Sequence, residues 1–349
     1  MVCIAAFIIL VIIGIFVAFL SIFKRDIGKK YWKMFKKAWG CVWKKVRLQK
    51  CETGFKEDVK NTVLSKVIIK HPNWVKPLSV TMEVISVIIV AVTVWSLATA
   101  TKSLLALWTL GTCNVTKPAA CSLGAEVCSI DEEEPKNIFE ATGRWFTEWG
   151  EIFGAIPDKF RSWEPTQFNL DYIEIKNSNE SAPIAIDILD PGCSVCLKSY
   201  QNQKKSGFFE KYNVRLVVFA IQDTNNQFKF KNSENIVRYI YSSAKINPEL
   251  APVIIDKIFT GKDADGALYQ NRFNEDYDKE KTISVLDEWS KSAGAADDQL
   301  KSIHEGMDSD EVTASMQKNR ESVEKDIHVK GIPTMLYDGG RHTGLYKID

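Results

Sequence analysis

The sequence has no net charge to speak of: 45 Lys+Arg stand against 44 Asp+Glu over 349 residues. It has no internal repeat and no low-complexity tract, which excludes a solenoid or a biased, disordered chain. Cysteine is too sparse, at eight residues, for a small disulfide scaffold, and glycine and proline are too few for a collagen-like chain. Histidine is scarcer still. His71, His304, His328 and His342 show no metal-ligand spacing, and none follows a cysteine pair as haem attachment requires.

What is present is segregated. Residues 24–77 hold 16 Lys+Arg and 4 Asp+Glu, whereas residues 111–349 hold 28 and 39. Two apolar runs frame the basic stretch. Val2 to Phe23 carries no charge, and Leu78 to Ala100 carries only Glu83. Each is long enough as a helix to cross about 30 Å of hydrocarbon. The first lacks the basic residues that precede a signal-peptide core; its basic residues follow instead, from Lys24 and Arg25. Two transmembrane helices are therefore expected, with the basic loop cytoplasmic and both the N-terminus and everything after Ala100 outside the cytoplasm. Leu104 to Leu110 is expected to be interfacial or packed on the protein. In the loop, Trp32, Trp39, Trp43 and Trp74 alternate with lysines. A loop tethered at both ends suits an anionic lipid surface better than nucleic acid.

The expected organisation is a first membrane helix (1–23), a basic cytoplasmic loop (24–77), a second membrane helix with its extension (78–110), a cysteine-containing and amphipathic linker (111–168), and an α/β domain (169–349). In the linker, apolar residues from Ile138 to Ile156 recur at three- and four-residue spacing. This predicts a helix packed on its own domain, with a membrane-surface or dimer face as the alternatives. Strands are predicted at 170–176, 183–189 and 214–221, helices across 233–328, and a closing hairpin of 334–337 and 342–346 about Asp338-Gly339-Gly340. Pro248 fits a first helical position and Gly261 a helix end.

The chemistry centres on Cys193-Ser194-Val195-Cys196. The pair lies where a buried strand ends and a helix begins. That places the Cys193 sulfur at a helix N-terminus, where unpaired N–H groups favour a thiolate, and Cys196 one turn on, able to attack a mixed disulfide. Zinc would need two further ligands. The active group is then the disulfide of Cys193 and Cys196, with no dissociable cofactor. Cys41 and Cys51 fall on the reducing side. Cys113, Cys121 and Cys128 share the oxidising side and are expected to form a loop staple, with a second redox relay as the alternative. A Cys3–Cys113 bond is conceivable. Asn114 and Asn179 head glycosylation-type tripeptides.

Cys193 to Cys196, together with Gly331-Ile332-Pro333-Thr334 before an apolar strand, resembles the thioredoxin superfamily. The 137 residues from Cys196 to Pro333, mostly helical, resemble its DsbA-like group, as does the stretch Ala293 to Thr334 that leads into the proline. The resemblance covers about 170–349. It implies a thioredoxin-like fold with a helical insertion at about 232–328 and a cis bond before Pro333. It also implies substrate docking along Ile332, Pro333 and Thr334, and proton transfer from Cys196 to Asp187, six residues before the motif. By strict alternation Asp187 falls opposite Ile186 and Ile188. The expected partners are cysteine-containing exported proteins, a redox partner and the membrane, without nucleic acid. The rival is a non-catalytic module that binds metal or a client. Several residues depart from the family pattern. Ser194-Val195 contains neither the histidine of strong oxidants nor the Gly-Pro of reducing members, Gly192 stands where a Trp is usual, and no closing helix follows the hairpin before Asp349.

Overall fold

The computed structural model describes residues 32, 35–40, 43–44, 47, 75–115, 127–130, 135–223 and 226–345. The chain forms two units, Met1–Thr101 and Lys102–Asp349. The first apolar run, most of the basic loop, Trp74 and Cys121 lie outside the described residues. In the first unit Trp32, Trp39 and Trp43 are solvent-exposed, and Trp39 stacks on Trp43.

Helix α1 (Val75–Leu110) is continuous. The stretch from Leu104 to Leu110 continues the same helix, since Thr101, Lys102 and Ser103 hold helical geometry without a glycine or proline to interrupt it. Its part from Val84 to Leu110, 27 residues, is long and apolar enough to cross a membrane. It is the one such helix among the described residues. Val84, Ile88, Val92, Trp95 and Leu97 are exposed along it, which is costly in water and natural in lipid.

In the second unit a short strand β1 (Cys128–Ser129) precedes α2 (Ile138–Gly154). Asn137 starts α2, its side chain accepting the Glu140 N–H at 2.9 Å. The expectation that α2 packs its apolar face on the domain is met only in part: Trp145 and Trp149 are half-buried, and Ile152 packs in a cluster with Ala106 and Val115. Ile152 alone of its residues is fully buried, whereas Ile138, Phe139, Phe146 and Phe153 are exposed, Phe139 by 86%.

The α/β domain has five strands in the order β2 (Ile173–Ile175), β4 (Asn213–Val218), β3 (Ile184–Leu189), β6 (Thr334–Tyr337), β7 (Gly340–Thr343). β3 and β4 are parallel; the other neighbours are antiparallel. Between β3 and β4 run α3 (Ser194–Ser206) and the short α4 (Phe208–Lys211). Gly207, at φ +73°, ends α3 in the left-handed conformation that glycine takes without strain. The inserted helices are α5 (Ser233–Ile246), α6 (Leu250–Thr260), α7 (Tyr269–Asn271), α8 (Lys279–Ser292), α9 (Asp297–Met307) and α10 (Asp310–Glu321). Pro248 lies before α6 rather than at its first residue, and Gly261 follows its last. β5 (Gly331–Ile332) then leads into β6. The β6–β7 turn is Asp338-Gly339, both at positive φ, so β7 begins at Gly340, earlier than the predicted 342.

β3 is the centre of the sheet. From Ala185 to Leu189 both of its faces are buried, and Ile186, Ile188, Leu216 and Leu336 join one core. A strand covered on both faces loses the in/out alternation. This is why Asp187, opposite the isoleucines, is also fully buried.

Candidate active site

β3 delivers the chain to Asp190-Pro191-Gly192 and then to the helix that carries the cysteine pair. Cys193 is the N-cap of α3, and its sulfur accepts the Cys196 N–H at 3.4 Å. Cys196 is the free cysteine among the described residues and is fully buried. Its thiol pKa is pushed well above the ordinary value, first by burial and then by the negative charges of Asp190 and Asp187.

Cys193 is bonded to Cys128, not to Cys196. Cys128 also sits opposite Ile332 in an antiparallel β1–β5 pair. These two links show that β5 runs beside the active cysteine. The peptide bond Ile332–Pro333 is cis. Of the predicted docking residues, Ile332 therefore receives a strand. Thr334 lies one step further in, pairing with Ile188 and Thr343. Its hydroxyl donates to the Gly331 carbonyl at 2.7 Å, so it shapes the turn. The pairing expected among Cys113, Cys121 and Cys128 is not what the structure shows for Cys128. Residues 127–130 return to Cys193 across 65 positions of sequence, a tertiary approach that no local spacing encodes. Cys113 is also disulfide-bonded.

Asp187 lies beneath the pair. Burial raises its pKa to about 7, against the opposing hydrogen bond from Gln203 Nε2 to Oδ2 at 2.6 Å. Its Oδ1 makes no hydrogen bond within the protein, which leaves that oxygen able to take a proton. Asp190, not anticipated from sequence, is a second buried carboxylate. Its pKa is raised to about 6 by burial, although it accepts the N–H groups of Ile221 and Gly192 (both 2.7 Å) and the Ser233 hydroxyl. Its own N–H points at the Cys196 sulfur, 3.5 Å away. The only advance signal was position, since Asp-Pro-Gly is a turn sequence three residues before the motif.

The helical insertion grips this turn from outside. Gln270 Nε2 donates to the carbonyls of Pro191 (2.7 Å) and Cys193 (3.0 Å), and Asn274 Nδ2 to that of Gly192 (2.8 Å). These residues lie about eighty positions from the motif, beyond any local pattern. Gly192 stands where it does because the Phe230 side chain fills the space a Cβ would need.

A central βαβ crossover, a cysteine pair at the first turn of its helix, a cis-proline strand beside it, and helices inserted between the halves together define the architecture. The fold is thioredoxin-like, with a helical domain inserted before the cis-proline strand.

No family model matches the sequence, and no curated protein does. Among solved structures, this thioredoxin-like chain is similar to Proteus mirabilis ScsC in a transitional conformation (12% identity, 50% of this chain and 66% of that one, TM-score 0.35). Another is the thiol-disulfide exchange protein α-DsbA2 of Wolbachia pipientis (16%, 51% and 81%, TM-score 0.35). A third is MdbA, a thiol-disulfide oxidoreductase of Corynebacterium diphtheriae (16%, 47% and 79%, TM-score 0.37).

Proposed function

We propose that the protein is a membrane-anchored thiol–disulfide oxidoreductase whose thioredoxin-like domain works outside the cytoplasm on exported, cysteine-containing proteins. One observation carries the reading: Cys193 is held in a disulfide with a cysteine on a strand laid antiparallel against Ile332. That is the geometry a docked client would need, with main-chain pairing for affinity and a sulfur–sulfur bond at the reacting atom.

The roles follow from position. Cys193, at the helix N-terminus, is the sulfur that clients attack or that attacks them, because its thiolate leaves and forms readily there. Cys196 resolves the mixed disulfide, bonding to Cys193 as the client sulfur leaves as a thiolate. Asp187, half-ionised near neutrality, takes the Cys196 proton and returns it. Ile332 and Pro333 present the docking edge. The redox group is the protein's own disulfide. α1 supports anchoring, and the exposed phenylalanines of α2, with Phe160 just beyond it at 80% exposure, suit an apolar environment next to it. The same proposal includes the expected topology, with the first apolar run, Val2 to Phe23, also crossing the membrane and the basic loop cytoplasmic.

The direct test is catalysis by the full chain in detergent, read as reduction of insulin by dithiothreitol and as oxidation of a reduced two-cysteine peptide. Acceleration of either that disappears in Cys193→Ser supports the reading. A chain that accelerates neither, and instead retains a metal through Cys193 and Cys196, would be the binding module.

A further inference from the structure

The segment that holds Cys193 is built in. Cys128 pairs with Ile332 and Ser129 with Gly331, and the Ile130 N–H donates to the Lys330 carbonyl at 3.1 Å, continuing the ladder. Ile130 is buried in the domain core. Lys229 Nζ reaches the Ser129 carbonyl at 3.3 Å. Across the ladder Gly331 lets the strand come close, since a Cβ at that position would lie 3.2 Å from Val127 Cβ. The chain thus covers both halves of its own client site at once, the backbone edge at Ile332 and the active sulfur. A disulfide that served only to staple the fold would have no reason to use the first cysteine of the pair.

We propose that Cys128 is a third redox cysteine and that residues 127–130 are a resident client strand, closing the active site as an internal mixed disulfide. This deepens the exchange reading above and rests on it. Opening is an isomerisation. The Cys196 thiolate attacks the Cys193 sulfur, the Cys193–Cys196 bond forms, the Cys128–Cys193 bond breaks, and Cys128 leaves as a thiolate that takes up a proton. One disulfide is present before and after, so no outside oxidant or reductant takes part. With its covalent tie gone, the segment keeps only non-covalent holds, the short ladder from Cys128 to Ile130, the Ile130 side chain and the Lys229 contact, and Cys128 at its end can yield Ile332 to a client. A client thiol then meets the open Cys193–Cys196 disulfide. Closing is the reverse attack by Cys128, whose tether gives it an effective concentration of about a millimolar, well above that of a client at micromolar level.

The test maps disulfides by acid quench, alkylation and peptide mass analysis on the full chain in detergent, before and during reaction with a reduced two-cysteine peptide at micromolar concentration. The resting wild type is expected to carry mainly Cys128–Cys193, with Cys193–Cys196 and alkylated Cys128 appearing early in the single reaction with the peptide, before the peptide dithiol is oxidised and leaves Cys193 and Cys196 as thiols. Cys128→Ser is expected to rest as Cys193–Cys196 and to oxidise the peptide about tenfold faster or more at first contact. Gly331→Val, which keeps all three cysteines but pushes the strand away, should shift the resting distribution in the same direction. The proposal is overturned if wild type rests only as Cys193–Cys196, if Cys128–Cys193 persists unchanged through turnover, or if both variants react no faster than wild type. A Cys128→Ser chain that folds yet neither forms Cys193–Cys196 nor reacts with the peptide sinks the exchange reading itself, whereas exchange at an unchanged rate removes only the role of Cys128.

Discussion

The double variant Cys128→Ser/Cys196→Ala is expected to accumulate client proteins as mixed disulfides on Cys193, and its turnover should fall by at least about a thousandfold, the scale on which losing one member of a catalytic unit acts. Removing Cys196 takes away the thiol that expels the client sulfur. Removing Cys128 takes away the resident competitor for the same atom. Cys196 is buried and its sulfur accepts the Asp190 N–H at 3.5 Å, so alanine there removes one sulfur atom and one weak hydrogen bond. Diagonal gels, run without and then with reductant, read the trapped species. Their disappearance on adding Cys193→Ser assigns the bond to Cys193. Equal trapping without Cys193 would contradict the assigned roles.

Asp187→Asn is expected to stabilise the domain above neutral pH and to slow resolution in the same range. Burial lifts the Asp187 pKa from 3.8 to about 7. Between those values the native state keeps a proton that the unfolded chain has released, so stability falls as pH rises through this window. The full cost, about 4 kcal/mol on an order-of-magnitude scale, is reached above pH 7. Asparagine has no proton to lose, so the variant's advantage should be small at pH 4 and grow to pH 7–8, measured by urea unfolding. Its amide keeps the shape of the carboxylate and an oxygen for Gln203. The price is kinetic. Without a base near pH 7, Cys196 must ionise against the burial that raises its own pKa, and the rise of the resolving rate with pH should move upward. An unchanged pH–rate profile with a changed stability profile would leave Asp187 a structural residue.

Much of the site was legible because it is local. Cys193, Cys196 and the strand-to-helix junction fall within a few residues, and the short hairpin turn at Asp338-Gly339 announced itself by composition. Asp187 was visible as a candidate but not its burial, because alternation applies to a sheet with one wet face and β3 has none. What escaped depends on tertiary approach. Gln270 and Asn274 reach the active-site turn from an inserted helix, and Ser233 reaches Asp190 from another. Sequence sets Cys128 beside Cys113 and Cys121, and cysteine pairing cannot be deduced from spacing. The exposed part of α2, at Ile138, Phe139, Phe146 and Phe153, escapes for a related reason, since an amphipathic period shows that one face is apolar and not what covers it.

The most direct measurement is the reduction potential of the Cys193–Cys196 couple, by equilibration of the full-length Cys128→Ser chain in glutathione buffers and mass analysis of the quenched thiols. A reversible two-electron couple is expected, lying between about −270 mV, where reductants of this fold sit, and about −120 mV, where disulfide donors sit. Its position assigns the direction of exchange. If Cys193 and Cys196 of the folded chain form no reversible couple at any potential, the account of the protein as a thiol–disulfide oxidoreductase is contradicted.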